Sequence, residues 1–309
     1  MRDTCPYERP TAETVCSYAG YLWFCWEREA IRLGRENGLP RESWTADPVM
    51  QKYRFTNIRR RDDRMTRWFI EHLIEPAVTN GDMNLWFTLL VGRLLNWPPT
   101  LQALLDFCVL PAGPENFDPE RFVQVVESCK EDGAKVFGGA YMVYPGTGTY
   151  ALKSEFLAYE VLRSARQRAD LIDAALWAAG EEPSIERFTT QLARCFGVST
   201  FMAGQVAADM SYTPGVLGEA TDLYTWAPLG PGSQKGLNYL NRRDLQKSWR
   251  QFDFNAALIE ANSLICGELD ITDLTLHDVQ NTMCEFSKYA GAILGESTPK
   301  TLYTPEGAY

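Results

Sequence analysis

Histidine is nearly absent from this 309-residue sequence, in which His72 and His277 are the only two. A zinc site with three histidine ligands is therefore excluded, and little room remains for a serine or cysteine triad, which uses histidine as its base. The eight cysteines include no pair at the two-residue spacing of a zinc knuckle or a redox motif. The sequence predicts no metal site, so its chemistry has to use carboxylates, amides, lysines, arginines and tyrosines.

Long apolar runs and alternating strand patterns are also missing. The nearest to a membrane span is Leu85–Leu95, which contains Arg93 and is shorter than the roughly 18 residues that cross a bilayer. It predicts a buried core helix. The N-terminal residues carry charges and prolines where a secretory signal has its apolar centre. We therefore expect a cytosolic protein with reduced cysteines and no membrane partner.

Apolar residues recur at helical spacing along most of the chain, and the fold class that this predicts is all-α. A chain of this length with 45% hydrophobic residues can bury one large core or two smaller ones. We expect a single helical domain over residues 1–309. The pattern also allows two lobes, with the N-terminal and C-terminal helices against a middle lobe of about residues 80–240.

Two glycine-rich stretches, residues 137–150 and 227–238, interrupt the helical pattern. Neither matches a P-loop, because Ser233, Gln234 and Lys235 stand in the wrong order and spacing for one. Glycine and proline there either bring backbone amides close to a ligand or turn a corner, and the sequence leaves both alternatives open.

Positive charge is concentrated in residues 52–67, KYRFTNIRRRDDRMTR. Seven basic residues and two carboxylates give this segment a net charge of +5, so the rest of the chain carries −15 of the total of −10. A dense basic segment in an acidic protein favours an anionic partner, of which a nucleic-acid backbone is the commonest. The alternative is a solvated arginine-rich helix face.

Residues 192–210, LARCFGVSTFMAGQVAADM, predict two helices joined by a tight turn. Gly197 permits a positive φ, Ser199 can cap, and the second helix begins by Thr200. In a helix–hairpin–helix, the turn amides and the following helix N-terminus face a DNA phosphate, so these three residues are candidates for contacts with the DNA backbone. The alternative is an ordinary corner in an all-α core.

Four polar side chains stand among residues that we expect to be buried: Asn57, Asp209, Asp222 and Glu285. Asp222 lies close to Tyr224 and Trp226, and a carboxylate in such a partly apolar setting can act as a general base with a pKa raised toward neutrality. Glu285 and Lys288 are three residues apart on one helix face. Either they belong to a site or they form a surface ion pair.

Five motifs in order carry a family resemblance: REAIRLGRENGLPRESWTADP, YRFTNIRRRDDR, FGVSTFMAGQVAADM, APLGPGSQKGLN and DVQNTMCEFSKY. Over about residues 28–289 the chain resembles the α-glutamyl/putrescinyl thymine pyrophosphorylases, the amino acid:DNA transferases of thymidine-hypermodifying bacteriophages. The resemblance implies an all-α, helix–hairpin–helix architecture like that of DNA glycosylases, with a central cleft. It also implies work in the cytoplasm of a phage-infected host.

The resemblance further implies a substrate, double-stranded DNA that carries pyrophosphorylated 5-hydroxymethyluracil, and the replacement of pyrophosphate by glycine, glutamate or putrescine. A base inside a duplex has to be flipped into a pocket and stacked on aromatic rings. The aromatic candidates are Phe55, Trp44, Tyr224 and Trp226. Cationic side chains would stabilise the departing pyrophosphate. The candidates are Arg54, Arg60, Arg64, Lys235 and Lys288, with Arg60 and Lys235 favoured. Magnesium could assist, although no metal motif indicates it.

The incoming amine has to be neutral, so a positioned carboxylate must remove a proton from it. The candidate bases are, in order of preference, Asp222, Asp63 and Glu285. Asn57 can hydrogen-bond to the uracil edge or to an amino-acid carboxylate. Asn238 and Tyr289, in the fourth and fifth motifs, are further candidates for substrate binding.

Two other functions compete with the transferase. A helix–hairpin–helix DNA glycosylase would use the same hairpin and aspartate to excise a modified base. A non-catalytic DNA-binding module would need only the basic segment, although the net charge of −10 argues mildly against tight general binding to DNA.

Overall fold

The structure is a computed structural model that describes residues 1–2, 4–82, 84–131, 133–139, 150–177, 180 and 182–303. The α-helices within these residues are α1 (Tyr18–Glu36), α2 (Pro48–Lys52), α3 (Arg64–Phe69), α4 (Glu75–Asn80), α5 (Leu85–Leu95), α6 (Pro98–Asp106), α7 (Pro119–Glu131), α8 (Lys153–Phe156), α9 (Arg163–Gln167), α10 (Ala169–Trp177), α11 (Ile185–Leu192), α12 (Thr200–Met210), α13 (Pro231–Leu240), α14 (Gln251–Leu269) and α15 (Leu276–Ile293). Short 3-10 turns lie at Arg41–Ser43, Arg60–Asp62 and Leu217–Glu219, and π-helical segments at Ile70–Ile74 and Leu157–Leu162.

Extended structure in the described part of the chain is limited to one isolated antiparallel bridge, between Tyr53 and Leu302. The all-α fold class is therefore confirmed. The glycosylase-like arrangement and the central cleft stay predictions. Residues 140–149, most of the first glycine-rich stretch, lie outside the described residues.

The chain divides into two compact units. The terminal unit comprises Met1–Asp63 and Tyr224–Tyr309, and the middle unit comprises Arg64–Leu223.

Helices α1, α13, α14 and α15 build the core of the terminal unit. Aromatic rings join α1 to α15: Tyr21 and Phe24 both meet the ring of Phe286 edge-on, at centroid distances of 5.2 and 5.9 Å. Helix α15 begins with a capping box, in which Thr275 and Asp278 satisfy each other's backbone N–H groups. Fixed at its N-terminus and buried over most of its surface, α15 is a rigid support for the polar residues that it carries.

The second glycine-rich stretch is helical from Pro231 onward, where it forms most of helix α13, and residues 227–230 lead into that helix. Gly232 and Gly236 are four residues apart and face α15, where a Cβ on Gly236 would collide with the backbone oxygen of Met283 and one on Gly232 with the thiol of Cys284. These glycines therefore allow close packing of two helices. Helix–helix contact is a role for these two glycines that the sequence did not indicate, and whether backbone amides of this stretch approach a ligand stays a prediction.

The middle unit contains the predicted core helix. All eleven residues of α5 are buried, and Arg93 forms an ion pair with Asp209 of α12, with Nε–Oδ2 and Nη2–Oδ1 distances of 2.6 and 2.5 Å. Each buried charge thus supplies the hydrogen bonds and the opposite charge that the other has lost with its water. No helix in the described ranges combines the length and apolar composition that crossing a bilayer requires.

The predicted hairpin is formed by α11, a seven-residue turn and α12 in the middle unit. Gly197 has φ +76°, and a Cβ there would approach a methyl group of Val161 to 2.7 Å. Ser199 caps α12 by accepting a hydrogen bond from the N–H of Met202. The role of Gly197, Ser199 and Thr200 in contacting DNA stays a prediction.

Candidate active site

The loop that follows α2 is held in place by Arg28 of α1. Its guanidinium donates to the carbonyl oxygens of Phe55 at 2.9 Å and Thr56 at 3.1 Å, and reaches the side-chain oxygen of Asn57 at 3.5 Å. Burial lowers the pKa of Arg28 to about 10, while the nearby carboxylates of Asp63 and Glu285 raise it. Arg28 therefore stays positively charged at neutral pH and orders three consecutive loop residues.

Asn57, in the middle of this loop, is bonded to the last two residues of the loop. Its backbone N–H donates to Oδ1 of Asp63 at 2.8 Å, and its side-chain Nδ2 donates to the carbonyl oxygen of Asp62 at 2.7 Å. Asn57 is 5% exposed. The buried amide thus fixes the position of the Asp63 carboxyl group.

Helix α15 supplies the opposite side of the same site. Oε2 of Glu285 accepts a hydrogen bond from the backbone N–H of Thr56 at 3.3 Å, and Nδ2 of Asn281 donates to the Thr56 hydroxyl at 3.0 Å. The ammonium group of Lys288 donates to Oε1 of Glu285. Positions 281, 285 and 288 are neighbours on one helix face, so α15 lines the loop with an amide, a carboxylate and a cation.

We call these seven residues the Asn57 cluster: Arg28, Thr56, Asn57, Asp63, Asn281, Glu285 and Lys288. Three of its members, Arg28, Asn57 and Glu285, are buried. Thr56, Asp63 and Asn281 are half-buried and Lys288 is exposed. The accessible part of the cluster therefore presents a hydroxyl, a carboxyl, an amide and an ammonium group on a buried polar foundation.

Asp63 is the acid of the cluster whose pKa is shifted toward neutrality. Its pKa is raised from 3.8 to about 7. Burial is the main cause and the negative charge of Glu285 adds to it, while the hydrogen bond from Asn57 and the charges of Arg60 and Arg28 act in the opposite direction. A carboxyl group with a pKa near neutrality can exchange a proton with a bound molecule at physiological pH. Perturbed groups of this kind mark functional sites.

Two central arginines of the basic segment make contacts within the terminal unit. Arg59 forms ion pairs with Glu29 at 2.8 Å and with Asp273 at 2.9 Å. Arg60, which we favoured for pyrophosphate, is 4% exposed, and its backbone N–H donates to Asp278 at 2.8 Å. Arg54 is exposed. Arg59 and Arg60 are therefore not part of a solvated helix face, and binding of an anion by the rest of the basic segment stays a prediction.

The aromatic candidates are dispersed within the terminal unit. Phe55 is buried, and its ring packs edge-on against Phe24 and Tyr289. Tyr289 is also buried and donates to the Asp47 carboxylate at 3.0 Å. Trp226 is 7% exposed, Trp44 is half-buried, and Tyr224 is exposed. Stacking of a flipped base on any of them stays a prediction.

Two candidates from the fourth motif have other contacts. Asn238 is fully buried, donates to the carbonyl oxygens of Leu245 and Lys247, and accepts from the indole N–H of Trp249 at 2.8 Å. It therefore holds the loop between α13 and α14. Lys235 lies 5.4 Å from the ring centroid of Tyr239. The sequence did not distinguish Asn238, which is buried, from Lys235 as a candidate for contact with a ligand.

Asp222 and Arg64 belong to the middle unit. The Asp222 carboxylate accepts three hydrogen bonds at the start of α11, from the Ser184 hydroxyl at 2.8 Å and from the N–H groups of Ile185 and Glu186 at 2.7 and 2.9 Å. Unpaired N–H groups at a helix N-terminus favour such a carboxylate. The structure thus places Asp222 in a helix-capping contact, and its role as a base stays a prediction.

Sequence reasoning missed Arg28 and Thr56 as members of the site. Arg28 opens the first motif, but an arginine in an amphipathic helix gives no sign that it binds loop carbonyls. Asn281 lies one turn before Glu285, and nothing in the sequence shows that it contacts Thr56. The described residues hold no group of three or more His, Cys, Asp or Glu side chains that could bind a metal ion, and the participation of magnesium stays a prediction.

Comparison with known proteins gives the family. Residues 16–297 match the family model described as "5-hmdU DNA kinase, helical domain". The chain is also 28% identical over 214 residues to the 5-hmdU DNA kinase of Bacillus phage SP10; the match covers 64% of this chain and 32% of that protein. The chain thus spans about a third of the length of this curated relative. No solved structure matches. The chain belongs to the family of 5-hmdU DNA kinase helical domains.

Proposed function

We propose that this chain is an enzyme of phage thymidine hypermodification that replaces the pyrophosphate group of 5-(pyrophosphoryloxymethyl)uracil in DNA with an amine or amino acid. The family match and the phage relative support a role in the modification of DNA that contains 5-hydroxymethyldeoxyuridine. The observation that carries the finer proposal is Asp63, an accessible carboxyl group with a pKa of about 7, set beside the Glu285–Lys288 pair.

The proposed chemistry consists of one proton transfer, from the amine nitrogen to Asp63, and the exchange of one carbon–oxygen bond for one carbon–nitrogen bond. An ammonium group gives a proton to the Asp63 carboxylate and becomes a neutral amine. Its nitrogen lone pair then attacks the exocyclic methylene carbon, while the electrons of the carbon–oxygen bond leave with pyrophosphate. Asp63 is suited to this because its pKa lies near the working pH, where it is both sufficiently ionised and sufficiently basic.

Lys288 is the cation that we assign to the leaving group. Its side chain is 47% exposed, and Glu285 holds its ammonium group at one end of the Asn57 cluster. A positive charge placed where pyrophosphate develops its charge lowers the barrier to its departure. Thr56 and Asn281 offer a hydroxyl and an amide to the pyrimidine or to the incoming amine.

A second candidate function is the presentation of DNA to a kinase. Two thirds of the phage SP10 kinase lies outside the match, so the helical domain is one part of a larger protein there. The sequence of the present chain contains no P-loop. As a binding module, the chain would retain 5-hydroxymethyluracil DNA and catalyse nothing without a partner that binds nucleoside triphosphate.

The experiment offers the purified chain a duplex with 5-(pyrophosphoryloxymethyl)uracil, with and without magnesium, and with glycine, glutamate or putrescine in separate reactions. Mass spectrometry of the released nucleosides should show an amine-dependent gain of mass, with pyrophosphate released in equal amount. Reactions without amine, and with the Asp63→Asn variant, are the controls. Abasic sites would instead mean a glycosylase, and bound but unchanged DNA would mean a binding module.

A further inference from the structure

One surface of the terminal unit joins the start of the basic segment to the C-terminal end of the described chain. The N–H of Arg54 donates to the carbonyl oxygen of Thr301 at 3.0 Å, and the N–H of Tyr303 donates to that of Lys52 at 3.2 Å. These bonds flank the antiparallel bridge between Tyr53 and Leu302. We call the result the 52–54/301–303 surface. It places Lys300 next to cations that are far from it in sequence.

Several cations on this surface lack acidic partners. Lys52, Arg54 and Lys300 are exposed, and no carboxylate among the described residues forms an ion pair with them. Arg41, from the nearby 3-10 turn, donates to the carbonyl oxygen of Gln51 at 2.7 Å and is also exposed. In a chain with a net charge of −10, cations left unneutralised in this way indicate a surface for an anion.

Aromatic rings stand between these cations. The Arg41 guanidinium lies 4.0 Å from the centroid of the Tyr303 ring, and Trp44 meets the same ring edge-on at 5.8 Å. The ammonium group of Lys52 lies 5.1 Å from the centroid of Tyr53. Alternating cations and aromatic rings are the features with which proteins bind nucleic-acid strands, through phosphates and through stacking on bases.

We propose that the 52–54/301–303 surface binds a DNA strand. Lys52, Arg54 and Lys300 contact its phosphates, and the stacked Arg41–Tyr303 pair supports a base. Arg54 is three residues before Asn57, so a strand bound here leads to the Asn57 cluster. The identity of the ligand as DNA rests on the proposed function. The location of the binding surface does not, because Arg59 of the same basic segment is paired with acids and Arg60 is buried.

The test measures binding of fluorescein-labelled, unmodified single-stranded DNA to the full chain by anisotropy, without amine, at salt concentrations from about 50 to about 200 mM. The Lys52→Ala/Lys300→Ala variant should lower the affinity roughly tenfold at low salt and reduce the slope of log K against log salt by about 1.4, or about 0.7 for each phosphate that is no longer neutralised. Lys130→Ala/Lys247→Ala is the matched control, since both lysines are exposed and the change in net charge is the same.

Equal slopes for the two double variants would overturn the proposal. A Tyr303→Leu variant addresses the stacking: it should weaken binding of a base-containing strand by about tenfold and leave an abasic strand of equal length unaffected. If it binds both strands as the wild type does, Tyr303 does not support a base. No amine or pyrophosphate takes part in this measurement. The binding surface can therefore be disproved while the transfer reaction is observed, and the transfer reaction can be disproved while the binding surface is confirmed.

Discussion

The backbone N–H of Asn57 donates to the carboxyl group of Asp63 at 2.8 Å, so a buried amide residue fixes the position of an accessible acid. The contact closes a loop of seven residues, and charge-assisted hydrogen bonds from Arg28 hold the two residues that precede this loop, Phe55 and Thr56. An acid that is held at a defined point and partly shielded from solvent is a suitable proton acceptor, because its geometry and its pKa are both set before a ligand arrives.

Asp63 is the proposed proton acceptor of the transfer reaction. Asp63→Asn should lower turnover by about 10²- to 10⁴-fold, because the variant cannot accept a proton from the amine, while its affinity for DNA stays unchanged. In the wild type, log kcat/KM should rise with pH and level off above about 7, the pKa of this group. Initial rates of pyrophosphate release over a range of pH measure both effects. A wild-type profile without an inflection near this pH would count against the assignment.

The same residue should make stability depend on pH. The folded protein retains a proton on Asp63 up to about pH 7, whereas the unfolded chain releases it near 3.8. The folded state therefore binds more protons between these values, and the free energy of unfolding should fall as pH rises through this window. Asp63→Asn should remove this decline, as urea denaturation at several pH values would show. Replacement of the exposed Asp106 with Asn is the control, and it should leave the decline in place.

Asp222 provides a contrast to Asp63. Asp222→Ala removes three hydrogen bonds at the start of α11 and should lower the free energy of unfolding by about 1 kcal/mol, the usual effect of losing a helix cap. Turnover for each folded molecule should be retained. Parallel denaturation and rate measurements separate the two quantities. Loss of turnover without loss of stability would instead identify Asp222 as the base.

The packing of α13 on α15 predicts opposite effects for two glycine substitutions. Gly236→Ala brings a Cβ against the backbone oxygen of Met283, which has no room to move, and should lower the free energy of unfolding by about 1–3 kcal/mol. Gly267→Ala, in an exposed part of α14 with no atom near the added Cβ, should raise it by about 0.4–1 kcal/mol. Thermal denaturation of both variants tests the pair. Equal effects would mean that the two helices are not in close contact.

Local patterns were sufficient for part of the fold. The apolar run of Leu85–Leu95 predicted a buried helix, and all eleven residues are buried. The same run contains Arg93, whose partner Asp209 is 116 residues away and could not be identified from spacing. The glycines of residues 227–238 were predicted to interrupt the helical pattern, and this was wrong for Pro231–Leu240. Glycine permits both a turn and a close helix contact, and only the neighbouring helix distinguishes them.

The candidate site was predictable in the same partial way. Asn57, Asp63, Glu285 and Lys288 were all candidates, and the structure brings these four into one cluster of the terminal unit. Asp222 was preferred to Asp63 because its neighbours in sequence are aromatic. Burial and a second carboxylate raise the pKa of Asp63, and Glu285 lies 222 residues further along the chain. No local pattern records that proximity.

The amino-acid sequence was enough to establish the helical class, to exclude a zinc site with three histidine ligands, and to name polar residues from which a site could be built. These depend on composition and on short periodicities, which every segment carries within itself. The choice among those residues required the folded chain. The folded chain decides which carboxyl group is shielded from solvent, which arginines are paired with acids, and which cations remain on the surface. These outcomes depend on contacts between α1, the loop at residues 53–63, α15 and the C-terminal segment. Such contacts form only when distant parts of the chain pack together.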